Sequence, residues 1–535
     1  MTMLHSFLYR VTAMIAVVVA LAFSTVPAQA QTTAFRQAVA EGVARDKSLA
    51  DFYRARAFEG LWTGTTPLDR ARRNALLTAF ATAGDHGLPA SEYDPDALIS
   101  RLQAARTPAE KGAMEVEMSR LFLSYARDIQ TGVLTPSRVV SAIHREVPLR
   151  PQAEHLAGIA GPNPQAFLAS LPPASPEYAR LLREKLRLER LLAAGGWGPT
   201  VGGGGLEPGS SGSDVVALRN RLVAMGYMDR SATQTYDASV QMAVQRAQHA
   251  HGLGVDGVAG SGTLAALNVP VERRLEQIIV AMERERWMNM PRGERHIWVN
   301  LADFTAAIID NSRVTFQTRS VIGATDGSRQ SPEFSDLMEH MIINPSWYVP
   351  RSIIVGEYLP ALQRNSNAVS HIEITDNRGR VVNRSAVNFS QYSARTFPFS
   401  MRQPPSSRNA LGLVKFMFPN PYNIYLHDTP SKSLFDREVR AFSHGCIRLS
   451  DPFDFAYALL APQTTDPIGY FQRILRTGTE TQVNLENPVP VHLVYRTAFT
   501  HTDGQLNFRN DIYNRDSQIW NALANAGVAV RAIGG

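Results

Sequence analysis

Cysteine is nearly absent from this sequence: its 535 residues hold one, Cys446, so no intramolecular disulfide can form. Lysine is scarce too. Nearly all the positive charge is arginine, the formal net charge is only +6, and no run of Lys and Arg builds a patch of the kind nucleic acid needs. Nucleic acid is therefore not an expected partner. Beyond the N-terminus no apolar stretch approaches the ~20 residues that cross a bilayer. A second cysteine and a His pair at helical spacing are both missing, so neither a metal nor a cofactor is expected.

What is present describes an ordinary globular protein, with 44% hydrophobic and 19% charged residues. The chain is too long for one core and predicts two to four domains. At the N-terminus Arg10 precedes an apolar stretch, Val11 to Phe23, and then Ser24-Thr25-Val26-Pro27 and Ala28-Gln29-Ala30. A positive start, a short apolar run and a small-x-small site are the parts of a cleavable secretory signal over residues 1–30, with an uncleaved anchor as the rival reading. Export gives the lone cysteine weight, because an unpaired thiol in an oxidising compartment is a chemical risk. An inert buried cysteine is the bland explanation.

The fold class expected is a multidomain α+β protein. Residues 31–200 read as a helical scaffold, with apolar residues at helical spacing in Phe52–Trp62 and Tyr178–Leu192 and prolines between segments. Glycines from Gly195 to Gly205 form a joint. Residues 206–270 read as a small three-helix module. One helix carries Val215, Leu218 and Leu222 and stops at Gly226, a second runs from about Ala238, and a third follows Gly262. A domain over 275–505 opens with a helix at about Leu275–Trp287 and then becomes mostly β, with strands such as Ile297–Leu301, Gln317–Gly323 and Asn423–His427. A segment from about 352 to 405 interrupts them as a candidate lid, and 506–535 reads as a C-terminal tail.

The chemistry concentrates in Tyr425-Leu426-His427 and Ser443-His444-Gly445-Cys446-Ile447-Arg448. A thiol needs a base and nearby donors to act as a nucleophile. Gly445 permits a sharp turn that exposes the sulfur and aims backbone amides at one point, an oxyanion hole. His427, nineteen positions upstream at a strand end, can return to the thiol. Other readings stay open at this point: a metal site from His427, His444 and Cys446; His444 as a structural donor; Arg448 as a carboxylate ligand or merely a partner of Asp451. Tyr425 and Trp347 are either cleft-lining or core aromatics.

These residues resemble the signature of YkuD-type L,D-transpeptidases, a His followed some way on by Ser/Thr-His-Gly-Cys. Arg448, where the family often has Asn, together with Asn344-Pro345-Ser346-Trp347 and Ser331-Pro332-Glu333-Phe334, is similar to the large YcbB-like subfamily. The 206–270 module resembles the peptidoglycan-binding module of cell-wall enzymes through Gly252-Leu253, Asp256-Gly257, Gly260, Thr263 and Leu267. The resemblance implies Cys446 as nucleophile and His427 as proton acceptor and donor, with Ser443, His444 and Gly445 supporting them. It also implies Arg448, Tyr425, Trp347 and Asn344 at the substrate. Its implied partners are peptidoglycan stem peptides and glycan, with a carbapenem-type β-lactam as inhibitor, in the periplasm. The implied reaction is a 3→3 cross-link through a thioester. L,D-carboxypeptidase action, attachment of an outer-membrane protein and a non-catalytic wall-binding scaffold are the alternatives. A hydrolytic cysteine protease lacks the expected cysteine context.

Overall fold

Proline placement dictates where the N-terminal helices begin. Pro67, Pro95, Pro108, Pro164 and Pro176 each open a helix, behind Thr66, Asp94, Thr107, Asn163 and Ser175 as side-chain caps. Proline at the first helical position loses no hydrogen bond, and the preceding oxygen satisfies an orphan amide. The computed structural model describes residues 28–501 and 504–532. The expected signal segment lies outside them but for Ala28–Ala30, which begin helix Ala28–Val43. The scaffold core gathers Tyr53, Leu61, Trp62, Leu76 and Phe122. At its centre the buried Glu115 carboxylate accepts from the Tyr53 hydroxyl at 2.7 Å and the Trp62 amide at 3.0 Å.

The small module forms as expected, with helices Ser213–Met225, Ala238–Ala250 and Ser261–Leu267 around Val215, Leu218, Leu222 and Val244. Gly226 closes the first helix at φ +83°, a left-handed conformation that favours glycine. The Asp256-Gly257 turn is pinned by Gln248, whose amide donates to Asp256 at 2.7 Å and accepts from the Gly257 N–H at 2.9 Å.

Two boundaries differ from the sequence reading. Helix Val271–Trp287, expected to open the catalytic domain, is buried without a break from Ile278 to Trp287. It packs against helix Pro176–Ala193 of the scaffold and against a C-terminal helix, Arg515–Asn525, so it is a shared axle. The last 30 residues are correspondingly no tail. Ile519 and Leu523 of that helix are fully buried, because their spacing lays both on one face. Arg284 on the axle donates to Glu333 at 2.7 Å and to Asp516 at 2.8 Å, and Arg515 joins Glu333 at 3.1 Å.

The β region contains β1 (Arg295–Asn300), β2 (Thr305–Asp310), β3 (Arg313–Gly323), β4 (Phe334–Ile343), β5 (Trp347–Tyr348), β6 (Glu373–Thr375) and β7 (Ser400–Gln403). After them come β8 (Val414–Met417), β9 (Leu426–His427), β10 (Ala441–Ser443), β11 (Ile447–Leu449), β12 (Thr481–Val494), β13 (Ala498–Thr500) and β14 (Leu506–Phe508). Nine of these make the main sheet, in the order β10-β3-β11-β9-β8-β4-β12-β1-β2. β13 and β14 pair separately, which again ties in the C-terminal segment. The segment expected as a lid is a small folded body: β5, β7 and β6 form a sheet, and Ile353, Leu359, Leu362, Ile374 and Phe397 share its core. It begins at Trp347, earlier than the expected 352.

Candidate active site

Alternation along three neighbouring strands builds the site. Phe416, Leu426, Ile447 and Leu449 point into the sheet's core and are fully buried. Their sequence neighbours must face the other way. β9 and β11 run parallel with Arg448 opposite His427, and β8 runs antiparallel with Lys415 opposite His427. Tyr425 and Cys446 lie one step earlier on the same face, where the Ile447 amide donates to the Tyr425 carbonyl at 3.1 Å. Lys415, Tyr425, His427, Cys446 and Arg448 therefore converge on one side of the sheet. Strand spacing and rise put the Cys446 and His427 backbones on the order of 8 Å apart on a shared face, within reach of two side chains.

The turn before the thiol is held from within. Gly445 has φ +115°, which a side chain would strain. Ser443 accepts from the Gly445 amide at 3.1 Å and donates to the Cys446 carbonyl at 2.6 Å. The thiol is half-buried and its Sγ lies 3.5 Å from the Asn423 carbonyl. The Tyr425 ring lies edge-to-face on His427 at 5.6 Å between centroids, with the Lys415 ammonium 5.9 Å from its centre. Trp347, on β5, packs edge-to-face on Tyr358 within that small body, with ring centroids 6.3 Å apart.

His427 is buried and its Nδ1 donates to the Asp428 carbonyl at 2.5 Å. That bond assigns the tautomer, with the proton on Nδ1 and the lone pair on Nε2; the Leu411 carbonyl also bears on the ring. Burial and the neighbouring Arg448 lower its pKa to about 3, so the ring is neutral. Burial pushes the Cys446 thiol up to about 11, against the opposing pull of Tyr425, Arg448 and Lys415. The resting pair is thus thiol and neutral imidazole.

His444 points elsewhere: its Nε2 meets the Glu357 carboxylate of the lid at 2.6 Å. The three-residue metal site is not formed, and among the described residues no group of three or more His, Cys, Asp or Glu is placed to hold a metal ion. Arg448 does not pair with Asp451, whose carboxylate accepts from Thr318 at 2.7 Å. Among the described residues Arg448 forms no ion pair, and its Nε has no partner. Asn344 corrects the sequence reading. It is buried at a φ of +53°, and its amide donates to the carbonyls of Leu475 at 3.1 Å and Thr479 at 3.3 Å. It caps helix Pro467–Leu475 and is spent on structure. Lys415 went unnoticed as a site residue, although a lone lysine in the apolar run Val414–Met417 was a usable signal. Glu357 carried none.

The site is thus a cleft on one face of the sheet that brings Cys446, His427, Arg448 and Lys415 together. Residues 294–483 match the YkuD model, described as the L,D-transpeptidase catalytic domain. Residues 211–267 match a "Putative peptidoglycan binding domain", and 47–186 a scaffold domain. The chain carries a YkuD-type L,D-transpeptidase catalytic domain joined to a peptidoglycan-binding module and a scaffold domain. A Haemophilus influenzae protein named "Putative L,D-transpeptidase" is 29% identical over 246 residues, covering 45% of this chain and 48% of its own. The chain thus matches about half the length of that curated relative. Among solved structures, an L,D-transpeptidase from Xylanimonas cellulosilytica is 16% identical, with a TM-score of 0.17, over 55% of this chain and 98% of its own. One from Stackebrandtia nassauensis is 12% identical, with a TM-score of 0.21, over 55% and 96%.

Proposed function

We propose that the protein is an exported, periplasmic transpeptidase that joins peptidoglycan stem peptides by 3→3 cross-links through a thioester on Cys446. The observation that carries this reading is the convergence of the only thiol, a neutral base and two cations on one face of β8, β9 and β11. Neutral His427 takes the thiol proton as Sγ attacks the carbonyl after the third residue of a stem tetrapeptide. The Cys446 amide faces the developing oxyanion. The leaving D-alanine amine receives the proton from His427, and a thioester remains. The side-chain amine of a second stem then attacks, passes a proton to His427 and releases the thiol. Arg448 and Lys415 suit the carboxylates of these stems, because charge-assisted bonds to an unpaired guanidinium are strong. The lid excludes water, which competes with the acceptor amine. A carbapenem is expected to acylate the same sulfur.

The resting pair gives a pH expectation. Alkylation of Cys446 in the free enzyme requires thiolate, so its rate should climb about tenfold per pH unit from 7 to 10 without levelling. A plateau below pH 8 would instead reveal a preformed thiolate–imidazolium pair. The reaction itself is tested by mass spectrometry of products from purified tetrapeptide muropeptides. The reading expects dimers linked between third residues. Tripeptide alone would mean carboxypeptidase action, no product without a protein acceptor would mean attachment, and no turnover would mean a binding scaffold.

A further inference from the structure

Behind the Gly445–Cys446 peptide sits a hydroxyl that the proposed reaction does not use. Ser331 is fully buried; its Oγ donates to the Gly445 carbonyl at 2.6 Å and accepts from the Gly323 amide at 2.9 Å. Ser331 is itself clamped by the C-terminal segment. Arg515 donates to its carbonyl at 2.6 Å, and its amide donates to the Tyr513 hydroxyl at 3.3 Å. That hydroxyl donates onward to the Gly323 carbonyl at 2.5 Å. A Cβ on Gly323 would lie 2.0 Å from the Arg329 carbonyl, so the end of β3 closes tightly on the segment bearing Ser331.

The peptide between Gly445 and Cys446 is trans, as no cis bond occurs among the described residues. In a trans peptide the carbonyl and the following N–H point in opposite directions. Drawing the Gly445 carbonyl inward therefore aims the Cys446 N–H outward, to the cleft. Among the described residues nothing accepts from that N–H, whereas the amides on either side are engaged, Gly445 by Ser443 and Ile447 by Tyr425. Glycine at 445 leaves the peptide plane free to rotate unless something holds it.

We infer that Ser331 is a positioning residue: through the Gly445 carbonyl it fixes the Cys446 amide as an oxyanion donor, and Tyr513 and Arg515 hold Ser331 in place. The inference rests on the reading that Cys446 is acylated. Its test compares two reactions of the same sulfur in the full-length protein. Acylation by a carbapenem passes through an oxyanion, whereas alkylation by iodoacetamide displaces iodide and forms none. A missing oxyanion donor costs about 10²–10³-fold, and a misaimed one less. Ser331→Ala should therefore slow acylation roughly tenfold or more and leave alkylation within about twofold. Tyr513→Phe, which removes the hydroxyl supporting Ser331, should give a smaller loss of the same selectivity and covers the case where Ser331→Ala does not fold. Unchanged acylation, or equal slowing of both reactions, would overturn the inference. Wild-type protein that alkylates but never acylates would overturn the proposed function instead, and this inference with it.

Discussion

Cys446→Ala is expected to abolish cross-linking, lowering dimer formation from tetrapeptide muropeptides by more than about a thousandfold. No other thiol can take over the acyl group, since the sequence holds no second cysteine. Loss of the fold would not explain such a result. The thiol is half-buried and contacts the Asn423 carbonyl only at 3.5 Å, while the turn around it is held by Ser443. The variant should therefore melt near the wild-type temperature. It should also still sediment with peptidoglycan, because the 211–267 module has a core of its own. Dimer formation by the variant would remove the enzyme reading.

Replacing His427 by alanine should cost about 10²–10⁴-fold in acylation, the range expected when a general base is lost. The loss should persist from pH 6 to pH 9. With a pKa of about 3, the wild-type imidazole is neutral across that range and gains a proton only as the pH falls towards 3. His444→Gln should have a much smaller effect, because its Nε2 is occupied by Glu357 of the lid. The comparison of the two variants under single-turnover conditions is decisive. If His444→Gln suffers the larger loss, the base has been assigned to the wrong ring.

Much of this architecture was legible in the residues. The module at 206–270 announces itself through apolar spacing and through Gly226, because helix period and a left-handed stop are local properties. His427, Ser443, Gly445 and Cys446 were legible for the same reason: a turn and a strand end are short-range features. Asn344 was placed at the substrate only because its stretch resembles the family's. Its real task, capping a helix more than a hundred positions later, is a tertiary fact. Ser331 was quoted only for family likeness, and nothing near it in the chain hints at Gly445. The C-terminal helix was missed despite Ile519 and Leu523 at helical spacing, since a stripe that short does not say what covers it. Lys415 shows the converse: once β8 is paired beside β9, period-two alternation forces it into the cleft.

The most direct test is intact-mass analysis of the wild-type protein mixed with a stem tetrapeptide in the absence of acceptor, followed by peptide mapping. The account predicts a mass gain of one tripeptide acyl group, located on Cys446 and released by neutral hydroxylamine, as a thioester must be. An adduct on any other residue, or turnover of the tetrapeptide with no covalent species under conditions that trap one, would contradict it.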